Sequence, residues 1–369
     1  MNVPKLRFKE FNDEYKVCKL KNISEIYDGT HKTPNYVDYG VKFVSVENIS
    51  NLLSTTKYIS EADFDKYKIK PEYNDVFMSR IGNIGTSSVY KSNAKLAFYV
   101  SLALLRTKDK DILVPDYLNQ YIKSIYFQRE LHNRTIHVAF PKKINTGEIG
   151  ECNLNLCSKE EQLKIAYFLS LLDKKIELQT KKIEDLKLFK LSKYNSVFSK
   201  SNNIIKLSDI CKIEKGKQIN SDLLRAEGNY YMLNGGILPS GYLNEYNTNE
   251  NTITISEGGN SCGYVNFNKT KFWCGGHCYK IISSSVNASY LYHLLKYNEK
   301  IIMDLRVGSG LPNIQRKDLE KLKLSIHKSD DQLKIGILFD TFDKKINLET
   351  NRLNKFKELK KSLMQSIFV

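Results

Sequence analysis

The run Cys274-Gly-Gly-His277-Cys278, with Cys262 a little upstream, offers sulfur and imidazole donors of the kind zinc takes. The spacing is not that of a zinc finger, and no second pair follows at the usual separation, so free buried thiols are the expectation. Cys152 and Cys157 stand five apart in a stretch that alternates like a strand, which puts them on opposite faces. Methyl transfer to a base would call for a glycine-rich loop opening a helix and an Asn-Pro-Pro-aromatic or Pro-Cys motif. "TPNY" at 33–36 is a poor substitute, and no Pro-Cys pair occurs. "GNIG" and "GSG" fall between strand-like segments and read as turns, and there is no Walker loop. No carboxylate pair has recognisable nuclease spacing. The chain is therefore expected to carry no catalytic residue, no metal ligand and no cofactor of its own.

The remaining chemistry is charge. Lys+Arg 57 against Asp+Glu 41 gives +16 over 369 residues, which favours a polyanionic partner, nucleic acid before membrane. Aromatic residues make up 11%, with 23 Tyr, as suits a folded chain long enough for two domains. The N-terminus "MNVPKLRFKEFNDEY" is charged throughout, without the apolar core of a leader, and seven cysteines is an odd number. Reduced thiols in a cytoplasm are expected, and no membrane association. The longest apolar run, near "AFYVSLALL" at 97–105, is about half a membrane span.

The elements that must position these groups repeat. "LDKKIELQT" at 172–180 returns as "FDKKINLET" at 342–350. Aligning Gln162 with Gln332 (offset 343 − 173 = 170) holds the register to the C-terminus, with roughly two in five positions identical. Ser158-x-x-Glu161 and Ser329-x-x-Gln332 read as capping boxes opening two helices of about 38 residues, roughly 57 Å each. Leu169, Leu172, Ile176, Ile183 and Leu186 form a 3-4 seam interrupted at Gln179. Phe339, Phe342, Ile346, Leu353 and Phe356 repeat it, interrupted at Glu349, and Leu363 extends it. The two helices are expected to pack on each other as an antiparallel coiled coil. Each carries +3, so 16 − 3 − 3 leaves about +10 elsewhere.

The repeat continues upstream. "ECNLNLC" matches "KLKLSIH" as strands, and "DYLNQYIKSIYFQREL" matches "ASYLYHLLKYNEKIIMDL" as amphipathic helices. "FMSRIGNIGTSSVY" matches "TISEGGNSCGYVNF" as strand, glycine-rich turn, strand, and Gly29 pairs with Gly216. The predicted fold is α+β: two similar globular domains (1–158 and 201–327) separated by two long spacer helices (159–200 and 328–369) with a pseudo-twofold relation. Helices of this length would hold the domains one to two DNA turns apart.

"VPKLRFKEF", "DGTHKTP" at 28–34, "GSGLPNIQRKDL" and the two Q-L-K-I…D-K-K-I helices resemble the specificity subunit of type I restriction-modification systems over essentially the whole chain. Tyr15 stands where that family often has a tryptophan, and "IHVAFPKKI" replaces the more typical Gly-Ser-Gly turn in the first domain. The resemblance implies a non-catalytic DNA-binding subunit with one target recognition domain per half of a split double-stranded site. The helices would set the gap and dock methyltransferase (modification) subunits, two of them, and restriction/translocase subunits where present. S-adenosylmethionine, ATP and Mg would sit on those partners. The competing reading is a coiled-coil interaction scaffold that ignores DNA.

Loop donors and acceptors are the candidate DNA contacts. In the first domain they are Thr30, His31 and Lys32, then Ser79, Arg80 and Asn83, with Arg134, Lys142 and Lys143 as phosphate clamps. In the second they are Lys215, Lys217 and Gln218, then Glu257 and Asn260, then Arg306, Ser309, Asn313, Gln315 and Arg316. Arg80 aligns with Glu257; arginine suits guanine and glutamate suits cytosine, so the two domains are expected to read different bases.

Overall fold

The computed structural model describes residues 3–201, 203–308 and 310–369; candidate Ser309 lies outside them. The chain forms two compact units, one running to Gln179 and including Arg352–Val369, the other Thr180–Asn351.

In the first unit the order is β1 (Lys16–Lys19), α1 (Leu20–Ile23), β2 (Ser24–Asp28), β3 (Val41–Val44), β4 (Tyr58–Ile59), α2 (Glu61–Asp65), β5 (Val76–Ser79), β6 (Ser87–Val89), β7 (Leu96–Phe98) and β8 (Leu102–Thr107). Then follow α3 (Pro115–Ile122), α4 (Ile125–Arg134), α5 (Thr146–Gly150), β9 (Asn153–Leu156) and the start of α6 (Lys159–Phe198). The central antiparallel sheet is β2-β8-β5-β6, and a second sheet, β4-β3-β7, pairs β3 with β7 in parallel. The apolar run noted at 97–105 is not a helix. It ends β7 and starts β8, whose Ala103 and Leu105 join the core under the helices while Leu102 and Leu104 join the core under the smaller sheet. A strand covered on both faces needs such an unbroken apolar stretch. Among the described residues no helix is long and apolar enough to cross a membrane.

The second unit repeats this plan: β10 (Asn203–Lys206), α7 (Leu207–Ile210), β11 (Cys211–Lys215), β12 (Tyr230–Leu233), β13 (Gly241–Leu243), β14 (Thr252–Ser256), β15 (Val265–Asn268), β16 (Trp273–Cys274) and β17 (Cys278–Ser284). It continues with α8 (Ala288–Tyr297), α9 (Glu299–Asp304), α10 (Arg316–Glu320), β18 (Lys323–Ile326) and α11 (Ser329–Ile367). Its sheets, β11-β17-β14-β15 and β13-β12-β16, have the same order as those of the first unit. In each unit the first and last strands pair antiparallel, β1 with β9 and β10 with β18.

Each upstream helix predicted as one piece is two. Ser124 caps α4 by accepting from the Phe127 amide, and Asn298 divides α8 from α9. The capping boxes also differ from each other. The Glu161 amide donates to the Ser158 hydroxyl, whereas Ser329 is itself helical and Gln332 reaches back to the carbonyl of His327. Gln162 does the same to Cys157, so the paired glutamines are the shared device.

The long helices pack antiparallel within each unit. In the first, Asp173 of α6 meets Lys360 of α11 and Lys175 lies over the ring of Phe356. In the second, Lys190 meets Asp343, Lys182 bonds Glu349 at 2.6 Å, and Phe189 packs edge-on against Phe342. The predicted seam is buried or half-buried throughout, including its polar interruptions Gln179 and Glu349. Opposite the seam, α6 exposes Leu163, Tyr167, Leu171 and Leu178, each about half or more exposed. At ~100° per residue these four fall within roughly 80° of arc. Leu333, Ile337 and Leu348 of α11, at the +170 positions, are exposed in the same way.

In the second unit His293 is fully buried, with Nδ1 2.8 Å from the Tyr194 hydroxyl and Nε2 3.1 Å from Asp340. Burial lowers its pKa, partly offset by Asp340; Lys190 lowers it further and Asp343 opposes that. The native state therefore holds fewer protons here than the unfolded chain, whose histidine titrates near ~6.5. Stability is full above that pH and falls as pH drops through it. Thermal unfolding at pH 7.5 and 5.5 should show a loss at the lower pH that His293→Gln reduces.

Candidate nucleic-acid interface

Each unit gathers its loop candidates at one end of its central sheet. In the first, β2 ends at Asp28 and the chain turns through Gly29-Thr30-His31-Lys32. A Cβ at Gly29 would sit 2.5 Å from the carbonyl oxygen of Phe98, so only glycine lets the turn pass. Gly216 is under the same constraint, 2.2 Å from the carbonyl oxygen of Gly275. Thr30 is half-buried and its hydroxyl lies 3.3 Å from the Lys32 amide, closing its own turn. His31 and Lys32 are exposed.

The glycine-rich turn after β5 brings the second group. Ser79 is fully buried and its hydroxyl accepts from the Thr86 amide at 3.0 Å, so it shapes the turn rather than facing outward. Asn83 is exposed, donating to the Thr86 hydroxyl at 3.2 Å. The third group hangs from this turn. The Gly82 amide donates to Lys142, Ile144 to Arg80, and Ile136 to Lys143, so 136–143 is a loop closed at its base against the turn. Lys142 and Lys143 are exposed with no carboxylate partner among the described residues. Arg134, expected as a clamp, is held by Glu148 at 3.3 Å and Glu130 at 3.6 Å.

The second unit builds the same cluster. Lys217 and Gln218 are exposed beyond β11, and Asn260 is exposed on the turn after β14. The loop from Val307 to Asn313 closes on itself through two backbone bonds and onto the turn through Gly259–Pro312 and Ile314–Glu257. Arg306, Asn313 and Gln315 are exposed, and Gln315 donates to the Asn313 side chain at 3.0 Å. Arg316 is engaged by Glu320 at 2.7 Å.

Arg80 and Glu257 are not placed as base readers. The Arg80 guanidinium is 8% exposed, paired with Asp28 and donating from Nε to the Ile144 carbonyl at 3.0 Å. Glu257 is 12% exposed, bonded to Lys215 at 2.6 Å and to the Tyr279 hydroxyl at 3.1 Å. Lys215 is thereby occupied as well. The sequence reading missed a cleft of about 380 Å³ in the first unit, where Asn83 and Lys142 meet His132 and His137. The His137 ring bonds the His132 carbonyl at 2.8 Å, and the adjacent Phe140 is fully exposed at the loop tip. Its signal was the apolar pair Val138 and Phe140, both fully exposed, in a loop that ends in two lysines.

The zinc candidates do not form a ligand set. Cys274 and Cys278 are buried while the His277 ring is exposed, 3.5 Å from Glu257. Among the described residues no group of three or more His, Cys, Asp and Glu is arranged to hold a metal, and all seven cysteines are free.

Two copies of one unit, alike in sheets and unlike in loops, define a tandem recognition protein. The family model described as "Type I restriction modification DNA specificity domain" matches residues 12–188 and again 200–358. The chain belongs to that family. It is 23% identical over 98% of its length, and 95% of the relative's, to a Methanocaldococcus jannaschii protein named as a type I restriction enzyme specificity subunit. A Mycoplasma pneumoniae protein named as a type I specificity subunit is 34% identical over 42% of each chain. The chain thus spans under half the length of that relative. In fold it is similar to the crystal structure of a type I restriction-modification S subunit from M. genitalium, with a TM-score of 0.70, 18% identity, and 100% and 99% of the two chains covered.

Proposed function

We propose that this chain is the DNA specificity subunit of a cytoplasmic type I restriction-modification complex. Each unit, with domain limits near 1–158 and 201–327, reads one half of a split double-stranded site, and the helices 159–200 and 328–369 set the gap. Two methyltransferase subunits dock on the helices, and restriction/translocase subunits join where the system cuts. Catalysis belongs to those partners, with S-adenosylmethionine, ATP and Mg bound there. The observation that carries this reading is the pairing of matched sheets with unmatched loops, since a scaffold would have no use for two different loop sets.

The test is methylome sequencing of a methylation-free host expressing the chain with its neighbouring methyltransferase. A split motif with a fixed gap, lost when the chain is omitted, is expected, and exchanging 201–327 for another family member's should change one half only. No methylation from a stable complex would favour the scaffold instead.

The exposed lysines give a second expectation. Lys142→Ala with Lys143→Ala should weaken binding to every DNA sequence about equally. The slope of log K against log salt should shrink by roughly 1.8, about 0.9 per lost phosphate contact. Filter binding across a salt series measures both.

A further inference from the structure

The last residue of β2 is Asp28 and the last of β11 is Lys215; the residue after β5 is Arg80 and the residue after β14 is Glu257. These are equivalent places in the two units, and each pair forms an ion pair across the sheet end. The polarity is reversed: acid on the first strand and base on the turn in one unit, base and acid in the other. The backbone around them is unchanged, with Ile144 donating to the Arg80 carbonyl at 3.0 Å and Ile314 to the Glu257 carbonyl at 2.8 Å.

A third position follows the switch. Ala103 faces Asp28 across the β2–β8 ladder, and Tyr279 faces Lys215 across β11–β17. With arginine on the turn, Nε itself reaches the Ile144 carbonyl, and a small residue opposite suffices. With glutamate on the turn no donor is left for that carbonyl. The Tyr279 hydroxyl supplies it, 3.0 Å from the Ile314 oxygen and 3.1 Å from Glu257, its one proton shared between the two acceptors. All three residue types differ between the units, yet the ion pair and the bond to the loop carbonyl each have a counterpart. What is retained is the pairing, not any side chain.

Resting on the reading of loops 136–143 and 307–313 as DNA-contacting, we propose that Asp28–Arg80 and Lys215–Glu257 are positioning pairs, fixing each loop against its glycine-rich turn in the geometry that reads its half-site. Neither pair touches a base. Breaking one releases one loop and spares the other unit.

The test uses the full chain with its methyltransferase and four variants: Arg80→Glu, Asp28→Lys with Arg80→Glu, Lys215→Glu, and Lys215→Glu with Glu257→Lys. Two readouts are taken, amide exchange at Ile136 and Ile144 (Val307 and Ile314 in the second unit) and discrimination at each half-site. Each single variant should speed exchange in its own loop and lose discrimination at its own half-site by about tenfold or more, the ratio that some 1.4 kcal/mol produces. The second-unit double, which keeps Tyr279 on the Ile314 carbonyl, should restore most of both. The first-unit double, with Ala103 opposite and no donor left for the Ile144 carbonyl, should restore only part, and the other half-site should not change. Unaltered exchange in the single variants, or failure of the second-unit double to restore it while the other unit stays protected, would overturn the positioning role. Exchange that rises and is rescued while discrimination stays constant would instead overturn the assignment of these loops to DNA reading.

Discussion

Leu163→Asp with Tyr167→Asp should cost the proposed complex one methyltransferase subunit. Both side chains stand in the exposed apolar arc of α6, facing away from the seam that holds the helix to the first unit's core. Nothing in the fold needs them there, and apolar side chains lined up on one exposed helix face mark a contact surface. A carboxylate carried into such a contact loses its hydration without gaining a partner, and truncating central anchors costs ~2 kcal/mol or more each. Association should weaken by at least ~100-fold, which sedimentation of the purified components would show. Leu333→Asp with Ile337→Asp should remove the other copy, and the two double variants together should leave the chain alone in solution. DNA affinity of the isolated chain should hardly move. Full binding by the quadruple variant would place the docking surface elsewhere.

The second large effect concerns stability. Arg7 donates from Nε at 2.9 Å and Nη2 at 2.8 Å to Glu161, whose side chain is 1% exposed, and the Tyr15 hydroxyl adds a bond at 3.0 Å. The Arg7 guanidinium also lies 5.1 Å from the Tyr15 ring centre. The bond to Glu161 raises the arginine's pKa further, so the charge is permanent. Arg7→Met would leave a buried carboxylate with only neutral donors, a loss of ~3–5 kcal/mol. Removing both charges, as Arg7→Met with Glu161→Gln, should recover most of it. Hydrogen exchange in β5 and β8 should accelerate by at least ~100-fold in the single variant and return toward the parent rate in the double, with β14 and β17 unaffected.

Those residues also mark the limit of what local sequence carries. Periodicity is local, so the two long helices, their seam and the strand–turn–strand pairs were legible from spacing alone. In sequence Tyr15 stands out only as an odd residue for the family. Its role depends on Glu161, 146 residues away. Arg80 looked like a base reader because it is a cation in a glycine-rich turn, and its partner Asp28 is 52 residues upstream. A loop cation and a buried ion pair have the same local signature, and only the sheet pairing that brings β2 beside β8 and β8 beside β5 separates them. The break between α3 and α4 was hidden for a related reason. "SIYFQ" keeps a helical rhythm, and the Ser124 cap that interrupts it outweighs that rhythm.

The antiparallel ladders β1–β9 and β10–β18 bring the start and the end of each globular part side by side. Everything between the two strands of a ladder is a closed excursion, returning to where it left. A genetic crossover falling at the ladder strands therefore trades one complete reading head for another without disturbing the helix that follows. Where the other parent carries the second unit's polarity at these places, a crossover inside the excursion, between the codons for 28 and 80, would join one parent's Asp28 to the other's glutamate and set two like charges face to face. Variation in such a gene is expected to arrive in whole heads, with breakpoints crowded at the ladders and sparse between them.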